Sequence, residues 1–205
     1  PLGANEADGV DDLIRETREQ IGYGADFIKV YADYRWGPNG EAMPTFSVEE
    51  LTRMRETAES SGRPLVAHAG TAEGMRRAIE AGVETIEHGD GGTPDVFQAM
   101  AERGVVWYPT LAAVEAISSY GGWKKGVDPD PGRIANKKDV FQLAMQHGVK
   151  IGMGGGFGVY PHGENAWEME LMVEYGMTPT AVLQSVTSLN ADTFHLADRG
   201  RIASG

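Results

Sequence analysis

The segment from Arg63 to Gly89 constrains the fold more than any other part of this 205-residue chain. Two short apolar runs, 64–69 and 83–87, flank residues whose apolar positions recur at helical spacing. This order predicts a strand, a helix and a second strand. Two strands joined by one crossover helix run parallel, so their carboxyl ends lie at the same edge of the sheet. His68 and His88 stand at those two ends.

The two histidines allow two interpretations. A histidine at a strand end is commonly a hydrogen-bonded structural residue. Two imidazoles at equivalent ends of consecutive parallel strands can also form the first half of a metal site. In α/β folds, the edge formed by the carboxyl ends of the strands is where ligands bind. The residues alone leave both interpretations open.

The pattern of strands and helices extends over the whole chain. It predicts five strands, each followed by a helix, and this alternation is typical of a parallel sheet. We expect an α/β fold that is part of a (β/α)8 barrel, about strands four to eight, with outer helices and a single domain over residues 1–205. Residues 33–46 are expected to form a long polar loop. The strands are predicted near residues 28, 66, 85, 107 and 151.

Composition excludes several classes of partner and site. Thirty acidic residues stand against 18 basic ones, and the formal charge of −12 argues against a nucleic-acid partner. No apolar run approaches the roughly 18 residues of a membrane span, and no signal peptide opens the sequence. We therefore expect no membrane partner and favour a cytoplasmic location. The chain has no cysteine, so any metal must be held by nitrogen and oxygen ligands.

The sequence starts without Met and stops just after a helical region. We expect a fragment or a processed chain. Five strands would leave two open sheet edges, and open edges invite pairing. A homo-oligomer or a complementing N-terminal segment is therefore expected to cover them.

Lys29 is the unusual residue of the first predicted strand, where it is flanked by Ile28 and Val30. A buried ammonium is costly, so this lysine must be paired or neutralised. It could extend to the rim of the sheet, or it could form a Schiff base as in aldolases. It could also react with CO₂ and become a carboxylate able to bridge two metals. All three interpretations remain open from the residues.

Four motifs occur along the chain in the order FIKVYA, LVAHA, TIEHGD and IGMGGGFGVYPHGEN. Together they resemble the amidohydrolase superfamily, in particular its imidazolonepropionase-like group with the Xaa-Pro and Xaa-Arg dipeptidases. The resemblance covers nearly the whole chain. It implies a distorted (β/α)8 barrel with one or two divalent metal ions, usually zinc, and a metal-activated hydroxide that attacks an amide carbonyl of a small substrate.

The resemblance also implies roles for individual residues. Lys29 matches the carboxylated bridging lysine at the end of the family's fourth strand. His68 and His88 match the metal-binding histidines of its fifth and sixth strands. Tyr31 and His162 resemble substrate-contacting positions, and Arg35 is a further candidate for the substrate.

The chain departs from the family pattern in two respects. Gly156 occupies the position of the aspartate that orients the nucleophilic water and shuttles its proton, and glycine can do neither. The His-x-His pair of the family's first strand and its small β-sandwich domain lie outside this chain. We therefore expect a metal-dependent amidohydrolase or dipeptidase acting on a small peptide or amide. The alternatives are a catalytically inactive, ligand-binding barrel fragment and an aldolase that uses Lys29.

Overall fold

The computed structural model describes residues 4–156 and 158–204. The chain divides into two compact units, which we call the amino-terminal unit (up to Gly89) and the carboxy-terminal unit (from Asp90). Each unit is described by itself. The expected single domain over residues 1–205 stays a prediction.

The amino-terminal unit contains a parallel sheet of β1 (Ile28–Tyr31), β4 (Leu65–Ala69) and β5 (Thr85–His88), in which β4 lies between the other two strands. Tyr31 pairs with His68, and Ala69 pairs with His88. The parallel direction and the crossover helix between β4 and β5 are as predicted. The elements are α1 (Val10–Gly22), β1 (Ile28–Tyr31), β2 (Asp33–Arg35), β3 (Ala42–Pro44), α2 (Val48–Glu59), β4 (Leu65–Ala69), α3 (Ala72–Ala81) and β5 (Thr85–His88).

Local sequence signals set the helix boundaries of this unit. Ser47 caps α2 by accepting a hydrogen bond from the backbone of Glu50, whose carboxylate bonds back to Ser47 in a capping box. Thr71 caps α3 by accepting from the backbone N–H of Gly74. Gly82 ends α3 in a left-handed conformation. The predicted starts of both helices are confirmed.

The prediction of a loop over residues 33–46 was wrong. β2 and β3 form an antiparallel hairpin, in which Tyr34 pairs with Met43. Gly40 takes a positive φ of 79° in the turn, and its N–H donates to the carbonyl of Gly37 at 2.8 Å. Each strand has only three residues and little apolar alternation, so the segment resembles a loop in sequence.

The carboxy-terminal unit is mainly helical, with one short strand among its described residues. The strand predicted near residue 107 is present at 106–108, the helices predicted after it are present, and Gly104 ends the preceding helix as expected. No helix in the described part of the chain is both long and apolar enough to cross a membrane. The elements are α4 (Pro94–Arg103), β6 (Val106–Tyr108), α5 (Leu111–Tyr120), α6 (Gly132–Gln146), α7 (Ala166–Glu174), α8 (Pro179–Gln184), a π-helical turn (Ser185–Leu189) and α9 (Asn190–Thr193).

The predicted strand at 149–153 is reduced to one parallel bridge between Ile151 and Trp107. The N–H of Gly152 donates to the carbonyl of Trp107 at 2.9 Å, and the pairing ends there. A Cβ at Gly152 would lie 2.6 Å from the ring of Tyr108, so only glycine allows this close approach. The glycine-rich segment that follows has no regular structure up to Gly156.

Candidate active site

Side chains along β1 alternate between buried apolar residues and more exposed polar residues. Ile28 and Val30 are buried, whereas Lys29 and Tyr31 project from the other face of the strand. Tyr31 and His68 are register partners, so their side chains share that face. Their ring centroids are 4.6 Å apart, with the planes tilted by 33°. The end of β1 therefore contributes an aromatic neighbour to His68.

His88 reaches His68 through an unusual backbone conformation. Its register partner is Ala69, so a regular strand would direct His88 to the face opposite His68. His88 instead has a φ of 74°, which is uncommon for a residue other than glycine. The two imidazole centroids lie 4.5 Å apart in an edge-on arrangement. Such backbone conformations concentrate at functional sites, because the surrounding structure must offset their cost.

Lys29 is ion-paired rather than buried. Its side chain is 35% exposed, and its Nζ donates to the carboxylate of Glu87. The other oxygen of Glu87 accepts from the hydroxyl of Thr85. The expected burial of Lys29 was wrong, while the expectation that it needs a partner is confirmed. The sequence analysis missed Glu87, although an acidic residue within the apolar run before His88 was a usable signal.

Asp33 anchors the loop that follows His68, and the sequence analysis missed it. Its side chain is only 1% exposed. It accepts hydrogen bonds from the N–H groups of Gly70 and Thr71 and from the Thr71 hydroxyl, at 2.7–3.0 Å. One carboxylate oxygen lies 3.8 Å from Nε2 of His68. An acidic residue directly after a buried strand was the available signal.

A glycine of α3 makes room for this carboxylate. A Cβ at Gly74 would lie 2.3 Å from Oδ2 of Asp33, which no side chain can accommodate without displacing the carboxylate. Glycine within a helix is unfavourable by about 1 kcal/mol relative to alanine. The close approach of Asp33 explains why glycine occupies this position.

The other three predicted site residues are placed differently. Arg35 is an exposed residue of β2, and alternation directs it away from the face that carries Tyr34. His162 lies in the exposed loop before α7 of the carboxy-terminal unit. Gly156 lies in the same unit with a φ of 67°. The structure places His68, His88, Tyr31 and Lys29 within one unit, and the predicted roles of all seven site residues stay predictions.

The backbone around Gly156 leaves little space for a side chain. An added Cβ would meet the Cβ of Ala113 at 3.1 Å and the side chain of Thr110 at 3.5 Å. The positive φ adds strain for any other residue, although aspartate and asparagine tolerate it best. An acid at this position is therefore constrained but feasible.

The carboxy-terminal unit contains two buried charged side chains, Glu168 of α7 and Lys137 of α6. Glu168 is fully buried and accepts from the backbone N–H groups of Leu111 and Ala112, at 2.9 and 2.7 Å. Burial raises the pKa of Glu168 to about 7, against the lowering effect of those two hydrogen bonds. Burial also lowers the pKa of Lys137, which pairs with Asp90. The sequence analysis missed both groups, since neither lies in a recognisable motif.

The donor set fits a divalent metal in part. Two adjacent imidazoles are ligands that zinc takes, and a carboxylated Lys29 would add oxygen donors. Within residues 4–156 and 158–204, no group of three or more His, Cys, Asp or Glu side chains is arranged to hold a metal ion. The described residues thus offer only some of the ligands that a metal ion would need, and the metal site stays a prediction.

Comparison with known proteins identifies relatives that match most of this chain. The family model described as the amidohydrolase family matches residues 2–205. The ochratoxinase of Aspergillus niger is 30% identical over 188 residues, which cover 89% of this chain and 39% of the ochratoxinase. An uncharacterised protein of Mycobacterium tuberculosis is 27% identical over 85% of this chain and 49% of that protein.

Solved structures of related proteins also match most of this chain. A Xaa-Pro dipeptidase with methionine bound in its active site superposes with a TM-score of 0.85 and 31% identity, over 97% of this chain and 51% of that one. The crystal structure of the A. niger ochratoxinase gives a TM-score of 0.80 and 28% identity, over 97% and 47% of the two chains. The chain therefore spans about half the length of these relatives. The predicted class, an α/β fold corresponding to part of a (β/α)8 barrel, is confirmed.

Proposed function

Because this chain belongs to the amidohydrolase family, we propose that it forms part of a metal-dependent hydrolase that cleaves a peptide or amide bond of a small substrate. The observation that carries the proposal is the contact between the imidazole rings of His68 and His88 at the ends of neighbouring parallel strands. The centroids of these rings are 4.5 Å apart. The similarity to a Xaa-Pro dipeptidase and an ochratoxinase supports hydrolysis and favours a small substrate.

In this proposal His68, His88 and a carboxylated Lys29 hold one or two divalent metals, with zinc as the first candidate. The chemistry that a bound divalent metal supplies is Lewis-acid polarisation of the substrate carbonyl. Lys29 must exchange its present partner to take part, because a carboxylated lysine and Glu87 would be two anions in contact. Glu87, the register partner of His68, would then no longer be paired with the ammonium group of Lys29.

The remaining residues orient the site and the substrate. Tyr31 packs on His68 and limits rotation of the imidazole, and its hydroxyl is a candidate donor to the substrate. Asp33 fixes the loop after His68 through its hydrogen bonds to Gly70 and Thr71. Holding reacting groups in place lowers the entropic part of the barrier.

A second function is favoured by Gly156. A glycine at this position provides no group for proton transfer, and a positioned acid or base contributes about 10²–10⁴-fold to a rate. The alternative is therefore an inactive barrel portion that binds a ligand at the same strand ends. In both cases the proposed partner is a small peptide or amide.

Homo-oligomer contacts or a complementing segment are proposed to cover the sheet edges, and the cytoplasmic location stays a prediction.

The test combines metal content with hydrolysis. The protein is loaded with zinc, its metal content is measured by mass spectrometry, and a dipeptide panel is assayed. His68→Ala and His88→Ala should each lower metal content and reduce hydrolysis more than 100-fold, since even indirect perturbation of a metal ligand costs about 10–100-fold. His147→Ala, near Gln98 in the carboxy-terminal unit, is the matched control.

The outcomes separate the two functions. Metal bound by the wild type and lost in both histidine variants, together with hydrolysis, supports the hydrolase. Metal or peptide binding without hydrolysis favours the ligand-binding alternative. Unchanged metal content in His68→Ala and His88→Ala refutes the metal site itself.

A further inference from the structure

A continuous row of aromatic rings leads from the histidine pair to the surface of the β2–β3 hairpin. His88 contacts His68, and His68 contacts Tyr31, with centroid separations of 4.5 and 4.6 Å. Tyr31 then meets Tyr34 edge-on, with centroids 5.7 Å apart and planes at 89°. These distances lie within the range of favourable aromatic contacts. The hairpin is thereby joined to the candidate active site by direct ring contact.

One face of the hairpin is apolar and exposed. Tyr34 and Met43 are directly opposed across the antiparallel pair, so their side chains share a face. They are 41% and 43% exposed. Asp33 and Arg35 belong to the opposite face by alternation. Ligand sites combine apolar lining with a few polar groups, so an exposed apolar pair beside the polar strand ends is a candidate for ligand contact.

The base of the hairpin is held in place. Asp33, adjacent to Tyr34, is buried and bonded to Gly70 and Thr71. At the other end, Thr45 donates its N–H to the carbonyl of Ala32 at 3.0 Å and its hydroxyl to the carbonyl of Tyr31. Tyr34 and Met43 therefore keep a fixed position relative to His68. A pre-organised contact discriminates between ligands better than a mobile one, because less ordering is needed on binding.

We infer that Tyr34 and Met43 form a specificity subsite that takes the aromatic or large apolar side chain next to the amide bond of the substrate. The inference rests on the proposed function, and it names the substrate class for the same site. An aromatic ring suits the flat face of Tyr34, and the flexible thioether of Met43 adapts to apolar shapes. A small side chain such as that of alanine would leave this face in water.

The test compares two probes that differ only in this side chain, N-acetylphenylalanine and N-acetylalanine. Their affinities for the zinc-loaded protein are measured by calorimetry or NMR, without hydrolysis. The wild type should prefer the phenylalanine probe by about tenfold, the size expected for one aromatic contact together with its apolar area. Tyr34→Ala should abolish that preference, and Tyr34→Phe should retain it. Tyr23→Ala, at an exposed tyrosine directly after α1, is the control.

The result also separates this inference from the proposed function. A preference that Tyr34→Ala removes supports the subsite, even when no peptide is hydrolysed and the proposed activity fails. A preference unchanged in Tyr34→Ala overturns it, and so does equal weakening of both probes. Absence of binding of both probes to the wild type overturns it as well.

Discussion

Two clusters of charged and polar side chains differ in what they can do. The strand-end cluster of the amino-terminal unit consists of Lys29, Tyr31, His68, Glu87 and His88, whose side chains are partly accessible. The buried cluster of the carboxy-terminal unit consists of Glu168, Lys137 and Asp90. Glu168 and Lys137 are almost completely inaccessible to solvent.

The difference shows that a shifted pKa does not by itself identify an active site. Glu168 has its pKa raised to about 7, the range suited to acid–base catalysis. Both of its oxygens nevertheless accept backbone hydrogen bonds at the start of α5, and no surface of the side chain is exposed. Glu168 therefore stabilises a helix terminus, where unpaired N–H groups need an acceptor. The side chains of the strand-end cluster are instead partly exposed to solvent.

The largest expected effect tests whether glycine at position 156 limits hydrolysis. Gly156→Asp should raise amide hydrolysis by about 10²–10⁴-fold, because it restores a group able to transfer a proton. Gly156→Asn is the matched control, since it has the same size and a similar tolerance of positive φ. Both variants should lose about 1 kcal/mol of unfolding free energy, owing to φ strain and the contact with Ala113. Equal hydrolysis rates in the two variants would contradict the assignment of position 156.

A second experiment tests whether Glu168 acts structurally. Its pKa of about 7 in the folded state exceeds the ordinary value of 4.5, so the folded protein binds more protons than the unfolded chain between these values. The free energy of unfolding should therefore fall as the pH rises from about 4.5 to 7. The contribution is about 3 kcal/mol, since one pKa unit corresponds to about 1.4 kcal/mol.

Denaturant unfolding at several pH values measures this effect. Glu168→Gln does not titrate and should lack this part of the pH dependence. Because one backbone N–H loses its acceptor, the variant should be less stable than the wild type, and the difference should be largest below about pH 4.5. Glu164→Gln, in the exposed loop before α7, is the control. Identical pH profiles for the wild type and Glu168→Gln would show that burial does not raise the pKa of this carboxyl group.

Lys29→Arg separates an ion pair from a carboxylated lysine. Arginine preserves the charge opposite Glu87 but cannot form the carbamate. Metal content and hydrolysis should fall by about 10–100-fold, the range seen when support of a metal site is lost. Incorporation of ¹³C-bicarbonate, followed by NMR, should label the wild type alone. Lys138→Arg is the control, since Lys138 lies on α6 and pairs with Asp130. Full activity of Lys29→Arg would show that Lys29 serves only in the ion pair.

The smallest expected effect concerns the Asp33 anchor. Gly74→Ala should lower the unfolding free energy by about 1–2 kcal/mol, because its Cβ displaces the Asp33 carboxylate. In the Asp33→Asn background the loss should be smaller, since the anchoring hydrogen bonds are already weakened. Gly22→Ala, which meets no atom within 4 Å, should be neutral or stabilising. Equal losses in the two backgrounds would argue against a direct Asp33–Gly74 conflict.

Local patterns in the sequence predicted most of the elements. The capping box at Ser47, the cap at Thr71 and the stop at Gly82 each act within a few residues, so the helices that they bound could be located. The hairpin at 33–44 was missed because its strands are too short to show alternation. The strand expected at 149–153 failed because glycines replace the side chains that would extend its pairing.

The sequence by itself determined that His68 and His88 end consecutive parallel strands, and that glycine occupies position 156. Only the tertiary structure decided that Lys29 pairs with Glu87, 58 residues away, and that Glu168 caps a helix 57 residues before it. It also decided that a left-handed backbone directs His88 onto His68. The physical reason is the separation along the chain over which each interaction acts. Periodicity and capping depend on neighbours along the chain, whereas ion pairs, buried caps and re-aimed side chains depend on which distant segments the packing brings into contact.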